Sequence, residues 1–364
     1  MRPSSTGERR IKALGCSTLS KTGCSTRRQR AHNAHTTREL RGRSGVMSAE
    51  MLPVCGDGSR ALLELARALA SEARAPNTRR SYDSALRCFA LFCEQHSLVQ
   101  EPQPAQVCAF VAWLAEQGRS VATVERAMAA LAHAATQQGL AAPASHPAVS
   151  EVLEGVRRVL GRAQDRKAAV LVTDLRAMSE ALGEGLAATR DRAVLVLGFA
   201  AALRRAELVA LDVGDLQFVE QGVIVTLRRS KTDQHAEGTV KAVPRGLNAP
   251  TCAVRCVEAW LGAARLDEGP LFRRIGAGGK VLRQRMSDRA VARLVKRACA
   301  NVGLDPKRYA GHSLRAGLAT EAARRGKSDW SIMRQTGHTN PATLAKYVRE
   351  ARLWEDNAAD DLGL

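Results

Sequence analysis

Six residues in the second half of the chain have the types and order needed to attack a phosphate ester. A phosphodiester is anionic, so cleaving it without a metal ion requires a positioned nucleophile, cations on the non-bridging oxygens and an acid for the leaving alkoxide. Five potential cations followed by one tyrosine fit this requirement better than attack on a carbonyl or a sugar. The six residues are Arg204, Lys231, His312, Arg315, His338 and Tyr347.

The nucleophile would be one of the three tyrosines in the chain. Tyr82 lies among apolar residues at helical spacing, which indicates a core position. Tyr309 precedes His312 by three residues and could flank the site. Tyr347 lies on a predicted helix that begins at Asn340-Pro341, a capping residue followed by proline. Because a tyrosine has a pKa of about 10 in solution, Tyr347 would need neighbouring cations to act near neutral pH.

Two arginines could hold the phosphate. Arg204 precedes Glu207 by one helical turn, so the carboxylate could hold the guanidinium without entering the reaction. Arg205 is the rival candidate. Arg315 lies one turn after His312, on the same face of a predicted helix. Two guanidinium groups can clamp the two non-bridging oxygens of a phosphate in bidentate fashion.

The blocks that contain these residues resemble those of the tyrosine recombinase, or phage integrase, family. They occur in that family's order, and the resemblance covers roughly residues 60–355. It favours Arg204 over Arg205, because the family's arginine stands three residues before the glutamate. One departure is Ala202, where the family often has glycine. The blocks are Ala-Leu-Arg-Arg-Ala-Glu-Leu, Ser-Lys-Thr-Asp-Gln, Gly-His-Ser-Leu-Arg and Gly-His-Thr-Asn-Pro.

The resemblance implies a role for each remaining residue. Tyr347 would form a 3′-phosphotyrosyl link to DNA and release a 5′ hydroxyl. Lys231, in the turn between two predicted strands, would protonate the leaving 5′ oxygen. His312 would help with proton transfer, and His338 would donate a hydrogen bond to the phosphate. The enzyme would need no metal, cofactor or ATP. It would be a monomer or dimer when free and would act as a homotetramer on two double-stranded DNA sites.

Composition agrees with a nucleic-acid partner. The net charge is +19 with a pI of about 10.3, which indicates a polyanionic partner, although a merely soluble basic surface is the alternative. Residues 1–46 carry eleven Lys/Arg against two Asp/Glu, and the rest carries 44 against 34, so the body is basic without its tail. Nine cysteines without a C-x-x-C pair predict free thiols in a reducing cytoplasm. The localisation expected for a DNA-acting protein of this kind is cytoplasmic and nucleoid-associated. The longest apolar run, 193–203, is too short for a membrane span, and we expect no small-molecule substrate.

The fold class predicted to position these residues is mainly α with a small antiparallel β-sheet. Residues 1–48 are expected to form a basic disordered tail, and residues 49–162 a helical domain that resembles the SAM-like core-binding domain of the family. A linker at 163–172 would lead to a mixed α+β catalytic domain at 173–352 and a C-terminal tail at 353–364. The family's two domains would close around duplex DNA as a C-shaped clamp.

The helical domain should contain four or five helices. An apolar face on Leu62, Leu65 and neighbouring residues predicts the first, and Asn77-Thr78 should cap the next. Thr78, Arg79 and Arg80 would then stand at a helix start, where N–H groups and cations could meet a phosphate. An ordinary solvated helix is the alternative.

The catalytic domain should begin with a helix capped by Thr173-Asp174, followed by a strongly apolar helix over 191–203. Three β-branched runs separated by turn residues, at 217–219, 223–227 and 239–243, predict an antiparallel sheet. Further helices are expected at about 251–264, 287–301, 312–324, 328–335 and 341–352.

Two other functions stay open at this point. A type IB topoisomerase uses related chemistry but relaxes supercoils, and the layout of a helical bundle plus a catalytic domain favours the recombinase. A non-catalytic DNA-binding accessory protein is the second alternative. The intact set of six residues argues against it.

Overall fold

The computed structural model describes residues 73–161, 167–228 and 238–352, together with five positions between 62 and 70. The chain divides into two compact units, 1–164 and 165–364. The first unit is helical in its described part. The second combines helices with two small antiparallel sheets. Lys231 and the two predicted tails lie outside the described residues.

Four helices make up the fully described part of the first unit: α1 (Pro76–Gln95), α2 (Pro104–Glu116), α3 (Val121–Gln137) and α4 (Pro147–Leu160). The residue that caps α1 is Ala75, so Asn77 and Thr78 lie in the first helical turn, and the predicted capping position was wrong by two residues. The main-chain N–H groups of Thr78 and Arg79 both donate to the Ala75 carbonyl, at 2.9 and 3.1 Å. An anion at this helix start would therefore meet side chains rather than these two amides.

An aromatic cluster forms the core of the first unit. Phe89 and Phe92 of α1 pack on Phe110 and Trp113 of α2, with ring centroids 5.1–5.6 Å apart between the helices. Such contacts contribute beyond their area burial. On the more N-terminal apolar face, Leu62 and Leu65 are 68% and 54% exposed, so these two leucines do not join this core.

The second unit contains eight helices and five strands among its described residues. The helices are α5 (Val172–Glu180), α6 (Leu186–Ala200), α7 (Arg205–Ala210), α8 (Ala253–Ala264), α9 (Asp288–Asn301), α10 (His312–Arg324), α11 (Asp329–Thr336) and α12 (Pro341–Ala351). The strands are β1 (Leu216–Val219), β2 (Gly222–Leu227), β3 (Thr239–Pro244), β4 (Arg273–Ile275) and β5 (Val281–Arg285).

The central helix is α6, which packs against α8 and α10 and is apolar on all sides in its second half. Its residues from Ala193 to Phe199 are all buried, as expected for a helix inside a domain core. It starts five residues before the predicted position and ends at Ala200, because the chain turns sharply at Ala201-Ala202. The predicted cap of α5 was also displaced: Leu171 caps the helix, and Asp174 accepts its N–H from the third helical position.

The predicted three-stranded sheet is confirmed, with antiparallel order β1-β2-β3. The hairpin β4–β5 was not predicted from the sequence. Its strands are short and rich in arginine, so they lack the β-branched alternation by which the first sheet was recognised.

A glycine lets α10 approach the chain that enters the second unit. A Cβ atom at Gly317 would lie 2.0 Å from the carbonyl oxygen of Val170, and the N–H of Val170 donates to Ser313 at 3.0 Å. This close packing fixes α10, which carries His312 and Arg315, against the body of the unit. None of the described helices is long and apolar enough to cross a membrane. The cysteines of the described residues are free thiols.

Candidate active site

The turn after α6 delivers Arg204 to the site. Arg204 caps α7 and does not lie within a helix, so the predicted shared helical face was wrong in detail. The predicted pairing with Glu207 is nevertheless present. One oxygen of the buried carboxylate accepts from the Arg204 side chain at 2.5 Å, and the other accepts from the Arg204 main-chain N–H at 2.8 Å. Glu207 therefore orients both the backbone and the guanidinium of Arg204.

Ala202 has the left-handed backbone conformation that favours glycine, with φ of +49°. This explains why glycine is common at the matching position of the family. The N–H groups of Ala202 and Leu203 donate to Phe199 and Gly198, at 2.9 and 3.1 Å, and so close the end of α6. An alanine adopts this conformation at a cost of roughly 1 kcal/mol.

Arg315 is an almost fully buried cation, with 1% of its surface exposed. Its Nη1 donates to the carbonyl of Ala202 at 2.9 Å. Within the described residues, its Nε and Nη2 have no hydrogen-bond partner. Burial, together with the nearby charge of Arg204, lowers the pKa of Arg315 to about 10. A buried guanidinium with unused donors is the feature expected of an anion-binding group.

Tyr347 lies beside His312. The Nε2 atom of His312 is 2.8 Å from the Tyr347 hydroxyl oxygen. Burial, with the charges of Arg315, Arg204 and Arg205, lowers the pKa of His312 from its usual value, even though part of this residue reaches solvent. His312 is therefore neutral near pH 7 and can accept the phenol proton.

His338 completes the surroundings of Tyr347. The two rings stack at 6.0 Å with an interplanar angle of 11°. The left-handed Gly337, with φ of +64°, ends α11 and turns the chain so that His338 precedes α12. Its Nδ1 lies 3.0 Å from the hydroxyl of Thr336. Burial, reinforced by the neighbouring Arg315, Arg204, His312 and Lys241, lowers the pKa of His338 to about 4.

Arg204 and Arg205 have different surroundings, and so do the three tyrosines. Arg205 lies against Gly311, where a Cβ would come within 2.2 Å of its Cδ, and its charge acts on His312. Arg204 acts more widely, on His312, Arg315, Lys241 and His338. Among the other tyrosines, Tyr82 is half-buried in the first unit beside His133, and Tyr309 is buried in the core of the second.

Sequence reasoning missed Lys241. This lysine is 3% exposed, and burial, opposed by Glu207 and reinforced by Arg315 and Arg204, lowers its pKa to about 8. The signal was available in the run Val-Lys-Ala-Val, because strand alternation places Lys241 on the same face as Val243.

The remaining candidates belong to other parts of the chain. Thr78, Arg79 and Arg80 lie near the start of α1, in the first unit. Arg80 donates to the Asn77 side chain at 2.5 Å. Lys231 stays a prediction from sequence.

Comparison with known proteins identifies the family. Residues 170–352 match the phage integrase family, and residues 64–134 match its N-terminal SAM-like domain. The chain belongs to the phage integrase family. It is a tyrosine-type site-specific recombinase, and neither the topoisomerase nor the non-catalytic alternative is favoured.

Two relatives illustrate the similarity to known recombinases. The integrase/recombinase xerD homolog of Selenomonas ruminantium is 34% identical over 292 residues, covering 79% of this chain and 85% of the relative. The recombinase cre of Escherichia phage P1 is 26% identical, covering 73% and 82%.

Solved structures show the same fold. XerH site-specific recombinase in a post-cleavage complex with difH superposes with a TM-score of 0.56 at 16% identity, covering 76% of this chain and 80% of that one. A lambda integrase dimer on a core site gives 0.51 at 16% identity, covering 80% and 94%.

Proposed function

We propose that this recombinase cuts and rejoins duplex DNA at specific sites through a 3′-phosphotyrosyl link to Tyr347. The observation that carries the proposal is the 2.8 Å contact between the Tyr347 hydroxyl and His312, next to the buried Arg315 with its unused donors. The Tyr347 hydroxyl can become a nucleophile, and the buried guanidinium of Arg315 is suited to bind an anion. A scissile phosphate can be attacked by the first group and bound by the second.

Tyr347 is activated by its neighbours. His312 accepts the phenol proton as the tyrosine oxygen forms a bond to phosphorus. The low pKa of His312 keeps the ring unprotonated near neutral pH, so that Nε2 has a lone pair to offer. His338 stacks on the tyrosine ring and restricts its orientation.

Arg315 and Arg204 hold the non-bridging oxygens. Charge develops on these oxygens during the displacement, and preorganised cations stabilise it. A charge at about 4 Å contributes roughly 4 kcal/mol at an effective dielectric of 20, before desolvation is subtracted. Glu207 fixes Arg204, and the Ala202 carbonyl fixes Arg315, so little reorganisation is needed.

The leaving group is the 5′ oxygen of the neighbouring nucleotide. As the bond from phosphorus to this oxygen breaks, the oxygen takes a proton, for which the resemblance supplies Lys231. His338 donates to a phosphate oxygen in the same scheme. The phosphotyrosyl link retains the energy of the original bond, so a 5′ hydroxyl from a partner strand displaces Tyr347 without ATP. A metal ion has no assigned step.

Assembly follows from the reaction. Exchange between two duplex sites requires cleavage of four strands, which a homotetramer of single-site protomers supplies. In the first unit, Thr78, Arg79 and Arg80 would contact the DNA backbone near the core of each site. A lambda integrase tetramer bound to a Holliday junction has this fold, with a TM-score of 0.50 at 16% identity.

The first test uses nicked suicide duplexes carrying candidate sites from either side of the protein's own gene. The protein and its Tyr347→Phe variant are incubated with these duplexes in EDTA, and covalent complexes are resolved on a denaturing gel. We expect a covalent band from the unaltered protein and none from the variant. Tyr82→Phe and Tyr309→Phe are matched controls that should keep the band.

Each other outcome has a distinct meaning. A band that persists in Tyr347→Phe but disappears in Tyr309→Phe would show that Tyr309, and not Tyr347, is the nucleophile. A band that requires added Mg²⁺ would contradict metal-independent cleavage. Tight, salt-sensitive binding without a band on any site would favour a non-catalytic DNA-binding protein.

A further inference from the structure

Strand β3 directs a lysine into the interior. Lys241 pairs in register with Val225 of β2, and it shares its buried face with Val243, whereas Val240 on the other face is 66% exposed. A lysine with 3% exposure is rare in a strand of this kind, because an ammonium group must find hydrogen-bond partners when it leaves water.

The partners of this ammonium are two main-chain carbonyls. Lys241 Nζ donates to Ala201 at 2.9 Å and to Gln335 at 2.8 Å. Ala201 begins the turn that leads to Arg204 three residues later, and Gln335 precedes His338 by three residues. One ammonium group therefore connects the two turns that deliver Arg204 and His338.

The connection is part of a larger arrangement at the C-terminal end of α6. We define the carbonyl row as the main-chain carbonyls of Ala200, Ala201 and Ala202. Gln335 Nε2 donates to the first at 2.9 Å, Lys241 to the second, and Arg315 Nη1 to the third at 2.9 Å.

Each donor to the carbonyl row comes from a different element: α11, β3 and α10. The last carbonyls of a helix have no partner within the helix and carry its negative end, so cations and amides are suited to them. Gln335 Nε2 also donates to the Ala242 carbonyl of β3 at 3.3 Å. Gln335 therefore links the carbonyl row to the same strand that carries Lys241.

We propose that Lys241, assisted by Gln335, is a positioning residue for DNA cleavage. By holding the carbonyl row against the end of α11, it sets the separation between Arg204, Arg315 and His338 without contacting DNA. This inference rests on the proposed function, since it assigns a role within that same reaction. It also distinguishes Lys241 from Lys231, which would touch the leaving oxygen.

The test compares Lys241→Met with Lys307→Met. Methionine keeps much of the buried volume but has no donor, and Lys307 is an exposed lysine of the same unit. Single-turnover formation of the covalent complex is measured at saturating suicide duplex, with Kd from fluorescence anisotropy and folding from circular dichroism. We expect Lys241→Met to slow cleavage by about 10- to 100-fold, as small misplacements of reacting groups do, with Kd changed less than threefold. Lys307→Met should match the unaltered protein.

A modified substrate separates positioning from acid catalysis. When a 5′-bridging sulfur replaces the leaving oxygen, the departing thiolate needs no proton, so loss of an acid is rescued while loss of alignment is not. We expect Lys231→Ala to recover on this substrate and Lys241→Met to remain slow. Recovery of Lys241→Met would assign it as an acid, and an unchanged cleavage rate on the ordinary duplex would remove its role altogether.

Gln335→Met keeps the proposal testable if Lys241→Met fails to fold. This variant leaves the Gln335 carbonyl that Lys241 binds but removes the donor to Ala200. We expect Gln335→Met to cleave slowly on both the ordinary duplex and the 5′-bridging sulfur substrate. An unchanged cleavage rate in folded Gln335→Met would overturn the positioning role. Failure of the unaltered protein to form any covalent complex would instead count against the proposed function.

Discussion

At the scale of single residues, the site contains two arginines in opposite situations. Arg204 forms an ion pair with Glu207, so its charge is partly compensated before DNA arrives. Arg315 is more deeply buried and, within the described residues, its only hydrogen bond goes to a carbonyl. Burying a cation without a carboxylate is costly, and a ligand that carries negative charge recovers that cost on binding. The site thus combines Arg204, which Glu207 already holds in place, with Arg315, whose burial is less costly once a phosphate is bound.

The protonation of His338 leads to a prediction about DNA binding. The single hydroxyl proton of Thr336 is donated to the Ile332 carbonyl at 2.7 Å, so its oxygen accepts from Nδ1–H of His338 at 3.0 Å. Since the pKa of His338 is about 4, the ring is neutral near pH 7 and its Nε2 has no proton to donate. Donation to a phosphate therefore requires the ring to gain a proton. We expect DNA binding near pH 6 to take up as much as one proton at His338.

Calorimetry measures this uptake as a difference in binding enthalpy between buffers of different ionisation enthalpy. The Tyr347→Phe protein is used so that no cleavage follows binding. The His338→Gln variant on this background should take up fewer protons. Equal uptake with and without His338 would show that the phosphate is not bound through a protonated His338.

At the scale of elements, local sequence signals predicted much of the architecture. The proline-started helices α2 and α4, the helix from His312 to Arg324 and the three strands of the first sheet follow from spacing and turn residues. The capping residues were displaced, because Ala75 and Leu171 cap helices without a side-chain oxygen.

Tertiary contacts account for what the sequence did not predict. Arg285, at the end of the unpredicted β4–β5 hairpin, donates to the carbonyls of Val209 and Leu211 at 2.7 Å, at the C-terminal end of the helix that Arg204 caps. The carbonyl row likewise gathers donors from three distant segments, and no local pattern predicts such a meeting. The candidate residues could be proposed one by one from the sequence, whereas the groups that hold them in place could not.

Local packing predicts that alanine has opposite effects on stability at two helical glycines, Gly317 of α10 and Gly155 of α4. Alanine at Gly317 would bring Cβ to 2.0 Å from the Val170 carbonyl and 2.8 Å from Phe199, and a main-chain atom cannot move aside cheaply. We expect Gly317→Ala to lower the free energy of unfolding by about 1–3 kcal/mol or more. A Cβ atom at Gly155 of α4 would meet no neighbouring atom within 4 Å, so Gly155→Ala should raise stability by about 0.5–1 kcal/mol.

Urea denaturation of both variants gives the comparison. Each exchange adds one methyl group to a helical glycine, so intrinsic helix propensity favours alanine equally in both. A Gly317→Ala protein as stable as the unaltered chain would mean that α10 and the segment containing Val170 can separate without loss. The same protein should also cleave more slowly, because α10 carries His312 and Arg315.

At the scale of the whole molecule, positive charge is distributed over both the folded body and the segment 1–46. That segment accounts for eleven Lys/Arg and two Asp/Glu, whereas the whole chain has 55 and 36. Net charge alone would draw the protein to any polyanion. Specific backbone contacts differ from this general attraction because each one releases a definite number of counterions.

The Arg79-Arg80 pair provides a way to separate the two effects. If both side chains contact phosphates, the slope of log K against log salt should decrease in magnitude by about 2 in the Arg79→Ala/Arg80→Ala protein. Affinity for specific and non-specific duplexes should fall together, since phosphate contacts carry no base information. Anisotropy titrations between about 50 and 200 mM salt measure both quantities.

The Arg157-Arg158 pair of α4 is a matched control in the same unit. Replacing both residues with alanine removes the same charge, but these arginines form ion pairs with Glu125 and Glu154 at 3.0–3.5 Å. A slope that changes only in the Arg79/Arg80 protein would place phosphate contacts at the start of α1. Equal changes in both proteins would show that net charge, rather than contact at this helix start, governs how the first unit binds DNA.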